Sequence, residues 1–412
     1  MKKVTNFVFA LIASLAVSTT LFAQENQKKN DLKLIKESGE GKLYEANGFL
    51  IPVISGSTFE MGQQYGALMV DEMEKVYNLL IKSSIDKGEL DQETISFWVN
   101  RAYGTGSLRT KRFYDGVAEG TGWSLDKVVF LDQVMEFGIY EEKLHSFAGC
   151  TSIASWDEQS KDGNMYIGRN MDWSPAFNKF PTVLTVRKPN DGSYKMATTG
   201  WAGMYCAFTA MNEKGVYIDL HDGTSMGGSL VFKERPSILN TLTDMLSESD
   251  NLDALKARFN GINNSTSAIF TIADKNSAAS MECSSLNGNR LRLPEGNSIT
   301  VVNSFLGESW GLGKRETVSN SLRRYANMTD RLAENKGQMD AQKTKDLMDI
   351  RLFNDDNSFK DNGGCTKPAL QDADITNYQT VFDINAQKVY LKIPVPEYFA
   401  DWTEIDLNTL FN

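Results

Sequence analysis

The stretch from Gly149 to Trp173, GCTSIASWDEQSKDGNMYIGRNMDW, constrains the fold more than any other part of the chain. Two apolar runs, Thr151–Trp156 and Met165–Asn170, flank a polar loop containing Asp162-Gly163. Such a dipeptide between strand-like runs signals a hairpin. A turn about Gln159–Ser160 sets residue 150 opposite residues 169–170, whereas a turn about Asp162-Gly163 slides the partner to about 175. Either register brings Arg169 and Asp172 towards Cys150. Side chains alternate along a strand, so Arg169 and Asp172 face opposite ways unless the chain bends after Arg169. A single shared site therefore requires that bend.

The texture of the chain changes at this point. Upstream, Ser57-Thr58-Phe59-Glu60 forms a capping box. It opens a helical pattern with Phe59, Tyr65, Leu68, Met69, Met73, Val76 and Leu80 on one side. Further helical patterns occupy 91–102, 108–120 and 124–140. A short strand precedes them at 51–55, and the lysine-rich residues 24–42 read as a loose leader. Downstream, strand runs alternate with tight turns: 182–187, 194–198, 206–211, 216–221, 268–273, 279–284, 298–303, and a closing hairpin of 379–383 with 388–393. Helical patterns interrupt them at 237–246, 252–259, 317–334 and 341–352. This pattern predicts an α+β fold in which two antiparallel sheets pack face to face under helices.

The N-terminal residues 1–23 carry Lys2 and Lys3, an apolar run Phe7–Val17 and a small residue, Ala23, at a plausible cleavage point. They read as a secretory signal peptide, which predicts a secreted or periplasmic protein. The apolar run is shorter than the ~20 residues a membrane span needs, and no later segment reads as a span. A net charge of −10 argues against nucleic acid or an anionic membrane as the main partner. Only two histidines occur, His145 and His221, with no CxxC pair, G-x-S-x-G elbow, P-loop or H-E-x-x-H. No metal or cofactor is expected. Cys206 and Cys283 lie in apolar runs and read as buried free thiols; Cys365, in DNGGCTKP, has no assignment.

Cys150 follows a glycine where helical texture gives way to sheet. A cysteine that becomes the first residue of a chain attacks through its thiol, with its own α-amine as the base. That amine has an unperturbed pKa of about 7.7–8.0, so no histidine is needed. On chemistry alone, a cysteine before a strand is more often structural. On the same footing Arg169 and Asp172 read as an ion pair, Asn303 as a turn former, and Arg323 and Arg324 as a solvated helix face.

Gly149-Cys150-Thr151-Ser152-Ile153, Asp162-Gly163-Asn164-Met165-Tyr166 and Gly168-Arg169-Asn170-Met171-Asp172-Trp173 together resemble the start of the mature chain in cysteine N-terminal-nucleophile (Ntn) amidohydrolases. That group includes choloylglycine (bile salt) hydrolases, acid ceramidase, N-acylethanolamine acid amidase and the isopenicillin N acyltransferase (peptidase C45) family. The segment 56–66 resembles the opening of the C45 and ceramidase-like proregion, and 211–215, 302–305, 321–325 and 380–383 with 389–390 resemble later family motifs. The resemblance implies an αββα sandwich, a precursor cut between Gly149 and Cys150, a mainly helical proregion at 24–149 and a catalytic domain at 150–412. It implies Cys150 as nucleophile and base, Asp172 orienting the new amine, and Arg169 beside the thiolate. Asn303 would donate to the oxyanion and Arg324, with Arg323 as fallback, would complete the network. The implied substrate is a small-molecule N-acyl amide of the ceramide, bile-salt or N-acyl-amine type. Alternatives are a C45-type acyltransferase, a papain-like protease built on Cys150, His221 and Asn303, and an inert binding protein. The long segment before Cys150 favours the ceramidase and C45 side. Asp222 stands where bile salt hydrolases have an asparagine.

Overall fold

The computed structural model describes residues 31–140, 149–223, 232, 234–311, 315–316, 320–352, 354, 358, 375–393 and 401–412. The signal-peptide reading, His145 and Cys365 lie outside the described residues. The strands are β1 (Lys33–Ser38), β2 (Gly41–Ala46), β3 (Phe49–Gly56), β4 (Gly149–Asp157), β5 (Gly163–Trp173), β6 (Thr182–Pro189), β7 (Met196–Trp201), β8 (Thr209–Asn212), β9 (Tyr217–Asp222), β10 (Ala268–Ala273), β11 (Ala278–Ser284), β12 (Gly288–Arg292), β13 (Ser298–Val302), the short β14 (Ser304–Phe305) and β15 (Arg315–Glu316), β16 (Ile375–Asp383), β17 (Lys388–Lys392) and β18 (Thr403–Asp406). The helices are α1 (Thr58–Tyr77), the short α2 (Ser83–Asp86), α3 (Gln92–Thr105), α4 (Leu108–Thr121), α5 (Leu125–Tyr140), α6 (Ile238–Glu248), α7 (Leu252–Phe259), α8 (Ser321–Glu334), α9 (Ala341–Met348) and α10 (Leu407–Phe411).

Two large sheets result, in the orders β1-β2-β3-β6-β7-β8-β9-β10-β11-β12 and β13-β4-β5-β16-β17-β18. Their inner faces meet in one apolar layer. Ala154, Trp156, Met165, Ile167 and Phe382 from the smaller sheet pack with Leu184, Val186, Met211, Tyr217 and Ile269 from the larger. The outer face of the smaller sheet, through Ile153 and Val381, buries Met328 and Leu332 of α8 and Leu347 and Met348 of α9. The outer face of the larger sheet buries Tyr65 and Met69 of α1, Phe113 of α4, Leu131 of α5 and Leu242 of α6. The protein is thus an αββα sandwich, the two sheets facing each other beneath outer helices.

The segment before Cys150 departs from expectation. Most of it is helical, and the capping box at Ser57 and Glu60 forms as read. Its first part, however, is three strands, two of them beginning within the residues read as a loose leader. β1 is exposed along almost its whole length, so no apolar alternation marks it. β3 pairs in parallel with β6 of the larger sheet. Residues upstream of Gly149 therefore share a sheet and a core with residues downstream of it.

Helices α1 and α4 cross with their backbones in contact. A Cβ on Gly62 would overlap the Phe113 carbonyl, and one on Gly116 would overlap the Phe59 carbonyl. Gly116→Ala is expected to lower the unfolding free energy by about 1–3 kcal/mol through overpacking. Gly104 of α3 has open space at the same test position. There alanine is expected to be neutral, or to stabilise by about 0.5–1 kcal/mol. Urea denaturation of the two variants side by side measures the contrast.

Candidate active site

Strands β4 and β5 pair in a register that sets Cys150 opposite Met171, Gly149 opposite Asp172 and Ser152 opposite Arg169. This lies within two residues of the register for a turn at Gln159–Ser160. The bend required after Arg169 does not occur. The β4–β5 pairing is regular from Gly149/Asp172 to Ser155/Tyr166, and the nearby irregularity falls on β16, between Thr376 and Tyr378. Alternation is preserved, so Arg169 and Met171 enter the sandwich while Asp172 lies on the outer face. Both faces still converge on Cys150. Its thiol is met from inside and its backbone from outside.

On the inner side, the Cys150 Sγ lies 3.6 Å from Met171 Sδ and 3.5 Å from Arg169 Nη2. Arg169 is fully buried. Its Nη1 donates to the Phe208 carbonyl at 2.7 Å and its Nη2 to the Leu220 carbonyl at 2.5 Å. Burial pushes the Cys150 thiol up to about 11, against the attraction of Arg169. Behind Arg169 stands Asp219, 3.6 Å from Nη1. It accepts hydrogen bonds from Ser152 Oγ at 2.6 Å and Tyr217 OH at 2.8 Å. Despite its burial, His221 and the Arg169 guanidinium hold the Asp219 carboxyl well below the usual carboxylate range.

Asp219→Asn would leave the Arg169 charge buried without its anion, at an expected cost of about 3–5 kcal/mol. A carboxyl with a depressed folded pKa contributes stability above its ordinary value near 4 and loses it as pH falls through the depressed one. The gap between wild type and variant should therefore be full at pH 7 and smaller at pH 3. Guanidinium chloride denaturation at the two pH values measures it.

On the outer side, the Cys150 N–H donates to Asn303 Oδ1 at 2.6 Å. Asn303 follows β13, whose Val302 pairs with Thr151, and this places it beside residue 150. Its Nδ2 donates to the Asp222 carbonyl at 3.1 Å. Arg324 Nη2 donates to Asn303 Oδ1 at 3.2 Å, and its Nη1 to the Cys150 carbonyl at 2.5 Å and Thr151 Oγ1 at 2.7 Å. Ser321, Arg324, Met328 and Leu332 form the buried stripe of α8. Arg323 is exposed, so Arg324 is the arginine that reaches the site. Asp172 accepts from Thr376 Oγ1 at 2.6 Å and lies across from Gly149, the residue before the expected cut.

All five residues singled out in the sequence thus gather at the end of β4. The papain-like arrangement does not form. His221 is buried, with Nε2 2.9 Å from Asp219 Oδ1 and 3.2 Å from Thr271 Oγ1. Cys206 and Cys283 are buried free thiols, as read. Two further residues belong to the site: Met171, which alternation places on the Arg169 face, and Asp219, an acid within β9 whose sequence signal is a charge inside a mostly apolar run. Next to the thiol lies a cavity of about 30 Å³, walled by Met135, Met171, Phe208, Leu220 and Leu239 and bordered by Glu136 and Asp222. Met135 and Glu136 belong to α5, upstream of Gly149. No described helix is long and apolar enough to cross a membrane.

An αββα sandwich with a buried cysteine at the head of a central strand, its thiol on an arginine and its backbone on an asparagine, defines a class of Ntn-type proteins. The sequence matches the family described as acyl-coenzyme A:6-aminopenicillanic acid acyl-transferase over residues 158–396, and the chain belongs to that family. The matched span begins after Cys150 and includes Arg169, Asp172, Asn303 and Arg324. A search of curated proteins gives no match. Among solved structures, a mutant of the conjugated bile acid hydrolase from Clostridium perfringens is 15% identical, covering 64% of this chain and 94% of that one at a TM-score of 0.41. The Caenorhabditis elegans ortholog of N-acylethanolamine-hydrolyzing acid amidase is 16% identical, with coverage of 57% and 93% and a TM-score of 0.38. Penicillin V acylase from Agrobacterium tumefaciens is 12% identical, with coverage of 64% and 87% and a TM-score of 0.39.

Proposed function

We propose that this protein is a secreted, self-processing cysteine amidase that hydrolyses N-acyl amides with an apolar acyl group. The observation that carries the reading is the division of labour at Cys150. A guanidinium meets its thiol, while Asn303 and Arg324 hold the N–H and C=O of the same residue. In the uncut chain that nitrogen is an amide. Self-cleavage begins when Sγ adds to the Gly149 carbonyl carbon. The C–N bond then breaks, the thiol proton passes to the nitrogen, and a thioester joins Gly149 to Cys150. Water hydrolyses it, releasing the Gly149 carboxylate and restoring the thiol beside a new α-amine. Asp172, opposite Gly149, is placed to receive that amine's charge.

In turnover the α-amine takes the thiol proton and Arg169 favours the thiolate by Coulomb attraction. The thiolate adds to the substrate carbonyl, and the Asn303 amide turns from Asp222 to the oxyanion. The α-ammonium protonates the leaving amine, and water cleaves the thioester. The side chains around the thiol, Met135, Met171, Phe208 and Leu220, are apolar, which favours an apolar group on the acyl side of the scissile bond. The family's description favours a second reading, in which an amine rather than water takes the acyl group. Incubating the purified protein with N-acyl amides of graded acyl length, and quantifying released acid and amine by mass spectrometry, tests the proposal. Equimolar acid and amine are expected. Release that is equal in a Cys150→Ala sample would sink it. New amide formed from an added amine at the expense of acid would select the transferase.

A further inference from the structure

We infer that Asp132, on helix α5 upstream of the cut, is a positioning residue for the Cys150 site and acts through the segment 202–208. The inference rests on the reading of Cys150 as nucleophile. Residues 202–208 join β7 to β8, and side chains of the helical layer take up alternate amides along the segment. The Gly203 N–H donates to Tyr65 OH at 3.1 Å, the Tyr205 N–H to Asp132 Oδ1 at 2.7 Å, and the Ala207 N–H to Thr243 Oγ1 at 3.1 Å. Buried amides without such acceptors would be costly. The middle of the three is held by charge on both sides. The Tyr205 N–H meets a carboxylate, and its carbonyl accepts from Arg187 Nη2 at 2.5 Å. Charge-assisted bonds of this kind are the strong class. Three residues on, the Phe208 carbonyl accepts from Arg169 Nη1, and Phe208 also walls the cavity beside the thiol.

Helix α5 is itself fastened. Asp132, Met135 and Glu136 lie on one face, as i, i+3 and i+4 neighbours do. Glu136 accepts from Ser237 Oγ at 2.5 Å and Ser265 Oγ at 2.9 Å, and pairs with Arg101 Nη2 at 2.7 Å. Asp132 also accepts from Tyr114 OH at 2.5 Å. The upstream segment therefore sets the height of the Phe208 carbonyl, and with it the distance from Arg169 to the thiol. It remains part of the working site after the chain is cut.

The test is the pH dependence of Cys150 alkylation by iodoacetamide, read by mass spectrometry on the peptide that carries Cys150, together with kcat and KM for an N-acyl amide. Asp132→Ala is expected to slow alkylation at pH 7 about tenfold, to raise the alkylation midpoint by about one pH unit, and to lower kcat with little change in KM. Asp132→Asn, which keeps an acceptor oxygen, should restore most of the loss. Tyr65→Phe, which removes only the Gly203 acceptor, should shift alkylation the same way by about two- to threefold. A folded Asp132→Ala protein with the wild-type thiol titration would overturn the inference. If that variant does not fold, a wild-type titration in Tyr65→Phe would overturn it. The alkylation readout does not depend on the substrate. An altered titration in a protein that hydrolyses no amide would refute the proposed function and keep the coupling; an unaltered one in an active enzyme would do the reverse.

Discussion

Cys150→Ala is expected to leave the chain uncut at Gly149 and to lower amide hydrolysis by at least about 10⁴-fold, the scale of losing a nucleophile. The fold should survive. Alanine keeps the N–H that donates to Asn303 and the C=O that accepts from Arg324, and it deletes only the thiol near Arg169 and Met171. The variant therefore separates chemistry from architecture. Its circular dichroism spectrum should match wild type, while electrophoresis shows one full-length band and the amidase assay shows background. Processing and activity should vanish together, because one sulfur performs both attacks. A variant that still hydrolyses the amide would place the nucleophile elsewhere.

The second large effect is expected at Asn303. Loss of an oxyanion donor in a water-poor site typically lowers kcat by about 10²–10³-fold, and Asn303→Ala should fall in that range with KM little changed. Asn303→Asp sharpens the test. The carboxylate can still accept from the Cys150 nitrogen and from Arg324, but it has no amide to donate to an oxyanion. It keeps those two contacts but sets an oxygen against the Asp222 carbonyl in place of the amide donor, so it should be less stable than wild type and remain as impaired as the alanine variant. Steady-state kinetics on processed protein measures both. An aspartate variant with near-wild-type kcat would restrict Asn303 to holding residue 150 in place.

Much of this site was legible in the sequence because it is local. Cys150, Arg169 and Asp172 sit on one hairpin, and the apolar runs around Asp162-Gly163 fix it. Arg324 was legible only through the family resemblance; by residue type it reads with Arg323 as a solvated helix face, and its burial follows from how α8 docks on the sheet. The error at Asp172 is instructive. A bend after Arg169 is required only if every group of the site shares one face. A residue at the end of a strand can instead be reached on its thiol from one face and on its backbone from the other, and regular alternation suffices. β1 escaped the reading because its residues are exposed and carry no period. The Asp132 contact to Tyr205 spans 73 residues of sequence, and Asp219 meets Arg169 from a different sheet. Long-range polar pairs of this kind leave no local pattern, since they depend on how helices and sheets stack.

The measurement that bears most directly on the central claim is N-terminal sequencing with intact mass of the purified wild-type protein, beside Cys150→Ala. Two fragments are expected from the wild type, one beginning at Cys150, and a single uncut chain from the variant. A wild-type protein that hydrolyses amides while still joined at Gly149–Cys150 would contradict it, because residue 150 would then have no α-amine to act as the base.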